Sequence, residues 1–206
     1  MDPQRAELTR RERRKLELHD RLIETARALF AERGVAASTV AELCTRADVA
    51  EKTFFNHFPS KQDLVREIAQ RAIDELLIEV ETARKEGADT ADRLARFFDS
   101  FAERSLQAGP LSRELVSELV HVVHDQGSPS EQARRLHDAF GAIVEDGLRA
   151  RDVTRRHDAE TLTEMIIGAF YVLTFNYANL ENFPLKQQAT AVARFLGDAL
   201  APAAKE

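Results

Sequence analysis

The sequence has a single cysteine, no tryptophan and two tyrosines, and only eight glycines and six prolines among 206 residues. One thiol excludes an internal disulfide framework and a multi-thiolate zinc site. So few glycines and prolines disfavour turn-rich all-β folds and low-complexity chains. The longest strongly apolar run, Met165 to Phe175, falls short of the roughly 20 residues needed to span a bilayer. The amino terminus is charged with no apolar stretch behind it, so no signal peptide is expected. What is present is a hydrophobic fraction of 44%, enough for a real core. A soluble, cytoplasmic, mostly helical protein without membrane association is the expectation.

Charge is unevenly placed. Residues 1–61 carry 12 Lys and Arg against 10 Asp and Glu, whereas the remainder carries 17 against 25. Any polyanion should therefore be met by the first part of the chain.

Helical periodicity dominates throughout, and the punctuation gives nine helices in an all-α chain with no credible strand. The first ends at Gly34. Two short ones follow, Val40 to Ala47 and Ala50 to Phe58, with Thr39 and Glu42 as a capping box for the former. Pro59 ends the latter, and Ser60 with Asp63 opens a long fourth helix to about Lys85. Five more follow: Asp89 to Gln107, Ser112 to His124, Ser128 to Ala150, Asp158 to Asn179, and Pro184 to Leu200. A basic head, residues 1–61, is expected to pass into an acidic body, residues 62–206, within the fourth helix.

The two short helices have helix-turn-helix dimensions. In the second, Ala50, Phe54 and Phe58 share one side. Lys52 and Asn56 point directly away, flanked by Thr53 and Phe55, with His57 nearer the boundary. A solvated face rarely carries such a phenylalanine.

Ser38-Thr39-Val40-Ala41-Glu42-Leu43, followed by the run from Val49 to Lys61, resembles the DNA-binding head of the TetR family of bacterial transcriptional regulators. Ala28 to Gly34 resembles the end of that family's first helix. The resemblance implies a homodimer that sets each third helix in the major groove of double-stranded operator DNA, with repression until a small-molecule effector binds the body. By position it implies that Thr39, Phe55, His57 and Lys61 meet phosphates or pack on the backbone, and that Lys52, Thr53 and Asn56 face base edges. Asp48, Ala50 and Phe55 depart from the family's usual Gly, Ser and Tyr. Glu51 suits the positive end of the helix, or accepts from a cytosine amine. The basic run Arg10, Arg11, Arg13, Arg14 and Lys15 is either a solvated face or an arm on phosphate or in the minor groove. Cys44 belongs to an apolar stripe and is expected to be a packed thiol.

In the body, the eighth helix has two apolar sides. Leu162, Ile166, Ala169, Phe170, Leu173 and Tyr177 make one, and Ile167, Gly168, Tyr171, Phe175 and Ala178 the other. One side should pack internally and the other against a second copy, with Ile167, Gly168, Tyr171, Phe175, Val192, Phe195 and Leu196 at the interface. The aromatics Phe97, Phe98, Phe101, Phe140 and Phe170 are plain core or, with Leu119 and Met165, the wall of an effector cavity oriented by His121, His137 or Asn176. Glu118-x-x-His121 has di-iron spacing but no second such pair, and His121 with His124 has i, i+3 spacing, so neither metal nor cofactor is expected. No glycine-rich phosphate loop or nucleophile-base arrangement appears, and no catalysis is expected. A ferritin-like oxidase and a dimeric helical adaptor are the rival readings.

Overall fold

The computed structural model describes residues 9–123 and 131–202, with side chains of 118–123 left aside. Among these residues nine helices and no strand occur. They are α1 (Arg10–Arg33), α2 (Val40–Ala47), α3 (Glu51–Phe55), α4 (Lys61–Glu86), α5 (Thr90–Gln107), α6 (Pro110–Val123), α7 (Glu131–Ala150), α8 (Ala159–Asn179) and α9 (Leu185–Leu200). Two compact units result. One holds the described residues up to Ile68 together with Gly109–Leu111, and the other holds Ala69–Ala108 and the rest. The boundary thus falls inside α4.

The first unit is built on α1. Thr9 and Glu12 close a capping box at its start, and the Gly34 N–H returns to the Phe30 carbonyl at its end with φ 80°. That left-handed value suits a residue without Cβ. Leu22, Ile23, Ala26, Leu29 and Phe30 are buried at helical spacing, and they meet Leu43, Cys44 and Ala47 of α2, then Phe54, Phe58, Leu64 and Ile68. Each such side chain contributes about 1.5–3 kcal/mol on burial. Cys44 is 3% exposed, and burial pushes its thiol up, with Glu51 adding to the effect. It is a packing residue. A bidentate Arg46–Glu32 pair fastens α2 to α1.

In the second unit α5 lies along α9, and α7 along α8. Ala189, Ala193 and Gly197 recur every four residues on α9, so its backbone comes close to α5. A Cβ at Gly197 would sit 3.1 Å from that of Ala91. Gly147 is tighter still, since a Cβ there would lie 2.2 Å from Thr90 Oγ1. The Asp89 and Asp158 carboxylates cap α5 and α8 by accepting from the Asp92 and Thr161 N–H groups. At the other end of α8, the Arg113 guanidinium donates to the Tyr177 and Leu180 carbonyls at 2.6 and 2.9 Å, and covers the Tyr177 ring. A cation on those orphan carbonyls also complements the helix dipole. No described helix is long and apolar enough to cross a membrane.

Candidate functional site

The turn between α2 and α3 rests on Asp48, which takes the left-handed conformation (φ 54°, ψ 55°) while its N–H returns to Cys44 and Thr45. Asp visits that region more readily than most residues, so the departure from glycine leaves the turn intact. Ala50 starts α3 without a side-chain cap.

The third helix is shorter than its sequence pattern suggests. Regular helix stops at Phe55, not Phe58. The cause is Pro59, whose ring disfavours helical backbone at the residue before it. The last turn nevertheless keeps its register, because the Asn56 N–H donates to Lys52 O at 3.2 Å and the Phe58 N–H to Phe54 O at 2.9 Å. Lys52 and Asn56 therefore stay one turn apart on the exposed side, with Glu51 also exposed and Thr53 partly so. Phe54 and Phe58 are buried, rings 5.7 Å apart. Phe55 stands edge-on to Phe54 and keeps 49% of its surface exposed.

His57 sits partly buried between the outer row and the core, its ring 5.6 Å from that of His19. His19 stacks on Phe58 at 4.6 Å and holds Glu67 at 2.7 Å through Nε2. Burial, then the neighbouring His19 and Lys15 charges, keep His57 below the ordinary histidine value.

Two residues expected at phosphates have other duties. The Thr39 hydroxyl accepts from the Glu42 N–H and donates to the Glu42 carboxylate, and the Thr39 N–H goes to that carboxylate too. The Lys61 ammonium donates to the carbonyls of Val35 and Ser38 at 2.9 and 2.8 Å and is half-buried. It ties the start of α4 to the α1–α2 connection. Arg10, Arg11, Arg13, Arg14 and Lys15 form the first turns of α1, all exposed.

In the body the aromatic residues pack ring to ring. Phe97 lies 5.0 Å from Phe140 and 5.3 Å from both Phe98 and Phe170, and Phe101 lies 5.0 Å from Phe170. All five are buried. Met165 and Asn176, expected beside them, lie elsewhere. With Gly168, Val172, Phe183 and Val192 they line an open groove of about 360 Å³ between α8 and α9. Met165 sits five positions before Phe170, which turns it to the far side of α8. His137 faces Glu160 and Glu164 on α8. Leu119 and His121 lie outside the residues whose side chains are described, and His124 lies outside the described residues.

The second apolar side of α8 is partly where the sequence puts it. Gly168 has nothing within 4 Å of a notional Cβ, Phe175 is 49% exposed and Phe195 on α9 is 68% exposed. Val192 is half-buried. Ile167 and Tyr171 are also half-buried, Ile167 against the core. Leu196 is corrected: at 3% exposure it belongs to the core. The sequence reading missed Val172, 60% exposed, although Met165, Gly168, Val172 and Phe175 share the i, i+3, i+7, i+10 spacing of one face.

A tight turn, an anchored recognition segment and an outward row of cation, ring and amide define a helix-turn-helix head carried by a helical body. Residues 22–68 match the family model described as bacterial regulatory proteins, tetR family. Over these residues the chain is similar to the DNA-binding head of the TetR family, and the relatives it matches there are transcriptional regulators. It is 32% identical over 77 residues to the HTH-type transcriptional repressor KstR2 of Mycobacterium tuberculosis. That match covers 37% of this chain and spans only 38% of the relative's length. In fold it resembles a TetR-family transcriptional regulator from Pectobacterium atrosepticum, with TM-score 0.72, 22% identity, and coverage of 94% and 98% of the two chains. It also resembles FadR of Bacillus subtilis in complex with stearoyl-CoA, with TM-score 0.61, 18% identity, and coverage of 87% and 98%.

Proposed function

We propose that this chain is a dimeric, ligand-responsive repressor of transcription. The observation that carries the reading is the exposed Lys52, Phe55 and Asn56 on a segment whose opposite side, Phe54 and Phe58, is locked into the head core. Such a row offers a cation for phosphate or guanine, an apolar ring for sugar or thymine methyl, and an amide matched to adenine N6 and N7. Thr53 flanks the row as a second base-facing group, and Phe55 and His57 border it on the backbone side. Glu51 serves the helix start. In this reading residues 1–61 bind DNA, and 62–206 bind effector and partner.

Dimerisation is assigned to the exposed apolar face of α8 and α9. Gly168 permits close helix approach there, and Phe175, Val192 and Phe195 supply apolar area. A second copy related by a two-fold axis would bury the same patch on both sides, and two heads then reach half-sites one helical turn apart or a multiple of it. The effector is assigned to the aromatic region between α5, α7 and α8, around Phe97, Phe101, Phe140 and Phe170. FadR, seen with stearoyl-CoA, supports a ligand with a long apolar part. Because these rings fill their own space, an effector must select a body conformation in which they part. Only differential affinity for that conformation would shift α4 and release the operator.

The test is binding of the purified chain to the DNA upstream of its own gene, by footprinting and by anisotropy across a salt series. A protected, two-fold symmetric site with a steep salt slope is expected. Binding indifferent to sequence, or none, would leave a helical adaptor as the better reading. The family match does not favour a ferritin-like oxidase.

A further inference from the structure

One side-chain cluster in the body is used neither by the head nor by the apolar face. Glu160 and Glu164, four apart on α8, project towards His137 on α7. His137 Nε2 lies 3.3 Å from Glu160 Oε1 and 3.5 Å from Glu164 Oε1. All three atoms fall within 4.8 Å of one another.

The nitrogen itself is the informative atom. His137 Nε2 is shut off from solvent and has no hydrogen-bond partner, although two carboxylate oxygens stand within 3.5 Å. The ring as a whole keeps 30% of its surface exposed, and both carboxylates stand at ion-pair distance without hydrogen-bond alignment. An imidazole–carboxylate hydrogen bond would bring one oxygen onto the N–H axis, and neither is there. A bound ion needs no such alignment. Two donors each about 2.0–2.1 Å from a tetrahedral centre stand roughly 3.3–3.5 Å apart. The observed separations have that length.

We propose that His137, Glu160 and Glu164 form a divalent-metal site of the zinc class that clamps α7 to α8. One neutral imidazole and two carboxylates balance the charge of a divalent cation. Three ligands leave a position for water. The glutamate side chains are 73% and 54% exposed, so they can rotate to close the last separation and the ion can enter from solvent. An imidazole donor favours Zn²⁺ and its first-row neighbours over Mg²⁺ or Ca²⁺, which prefer all-oxygen sites. The site does not depend on the head binding DNA.

Calorimetric titration of the purified chain with ZnCl₂, in excess MgCl₂, should show one saturable ion per chain. His137→Ala should weaken it at least about 100-fold. Glu164→Gln, a near-isosteric change at an exposed carboxylate that should leave the fold intact by circular dichroism, should weaken it at least about 10-fold. His121→Ala, His124→Ala and His157→Ala should leave it unchanged. Co²⁺ substituted at the site should give a visible band that Glu164→Gln removes. No saturable zinc binding, or undiminished affinity in Glu164→Gln, would overturn the proposal; so would a loss that follows His121 or His124 instead.

Discussion

The ammonium of Lys61 donates to the backbone carbonyl of Val35 at 2.9 Å, across 26 residues of chain. With its second bond to Ser38, it holds the first turn of α4 against the connection that leads into α2. A lysine at the edge of a DNA-binding head invites assignment to phosphate, but here the charge serves the fold. Lys61→Ala should therefore lower the unfolding free energy by about 1–3 kcal/mol, the usual worth of hydrogen bonds to a charged donor. The slope of log K for DNA against log salt should be unaltered. A slope smaller by about one would return Lys61 to the phosphate backbone.

Asn56 makes a different prediction because its side chain faces outward while only its backbone supports the turn. Asn56→Ala should leave stability almost unchanged and cost about 1–3 kcal/mol of discrimination at one operator base pair. Competition among single-base operator variants measures it, and undiminished preference at every position would remove Asn56 from base readout. Lys52→Ala should weaken all sequences more evenly.

Gly168 offers a clean probe of the apolar face, since a Cβ there would have no atom within 4 Å among the described residues. Gly168→Leu should keep or slightly raise helicity, leucine being the better helix former by somewhat under about 1 kcal/mol. It should also shift sedimentation from dimer to monomer at micromolar concentration. An unchanged dimer would move the interface off this part of α8.

His57 carries a pH dependence of definite sign. Its folded-state value lies below the ordinary one because of burial and the nearby His19 and Lys15. As pH falls through about 6.5 the unfolded chain takes up this proton first, so stability declines below that point and levels off once the folded form is protonated. Urea midpoints at pH 7.5 and 5.5 should differ less in His57→Gln than in the parent chain. An identical difference would show that His57 does not contribute.

The head was largely legible from the sequence because its signals are local. Thr39 with Glu42, and Ser60 with Asp63, cap their helices as their spacing indicates. Phe54 and Phe58 turn inward as a helical period requires. The body resisted, since apolar periodicity on α8 shows two faces without saying which one the rest of the chain covers. Leu196 went to the core because α9 presses its small-residue face on α5, a pairing no local pattern encodes.

By itself the sequence determined the order of the helices and most of their caps, which residues of the third helical segment face away from the head, and the asymmetry of charge; these follow from spacing, capping and counting within a few residues. Only the tertiary structure decided that Lys61 is engaged by Val35 and Ser38, that Met165 lies in an open groove, and that His137 meets Glu160 and Glu164. Each of those depends on helices brought together from distant parts of the chain, and such encounters are set by packing of whole surfaces, which a one-dimensional pattern constrains but does not specify.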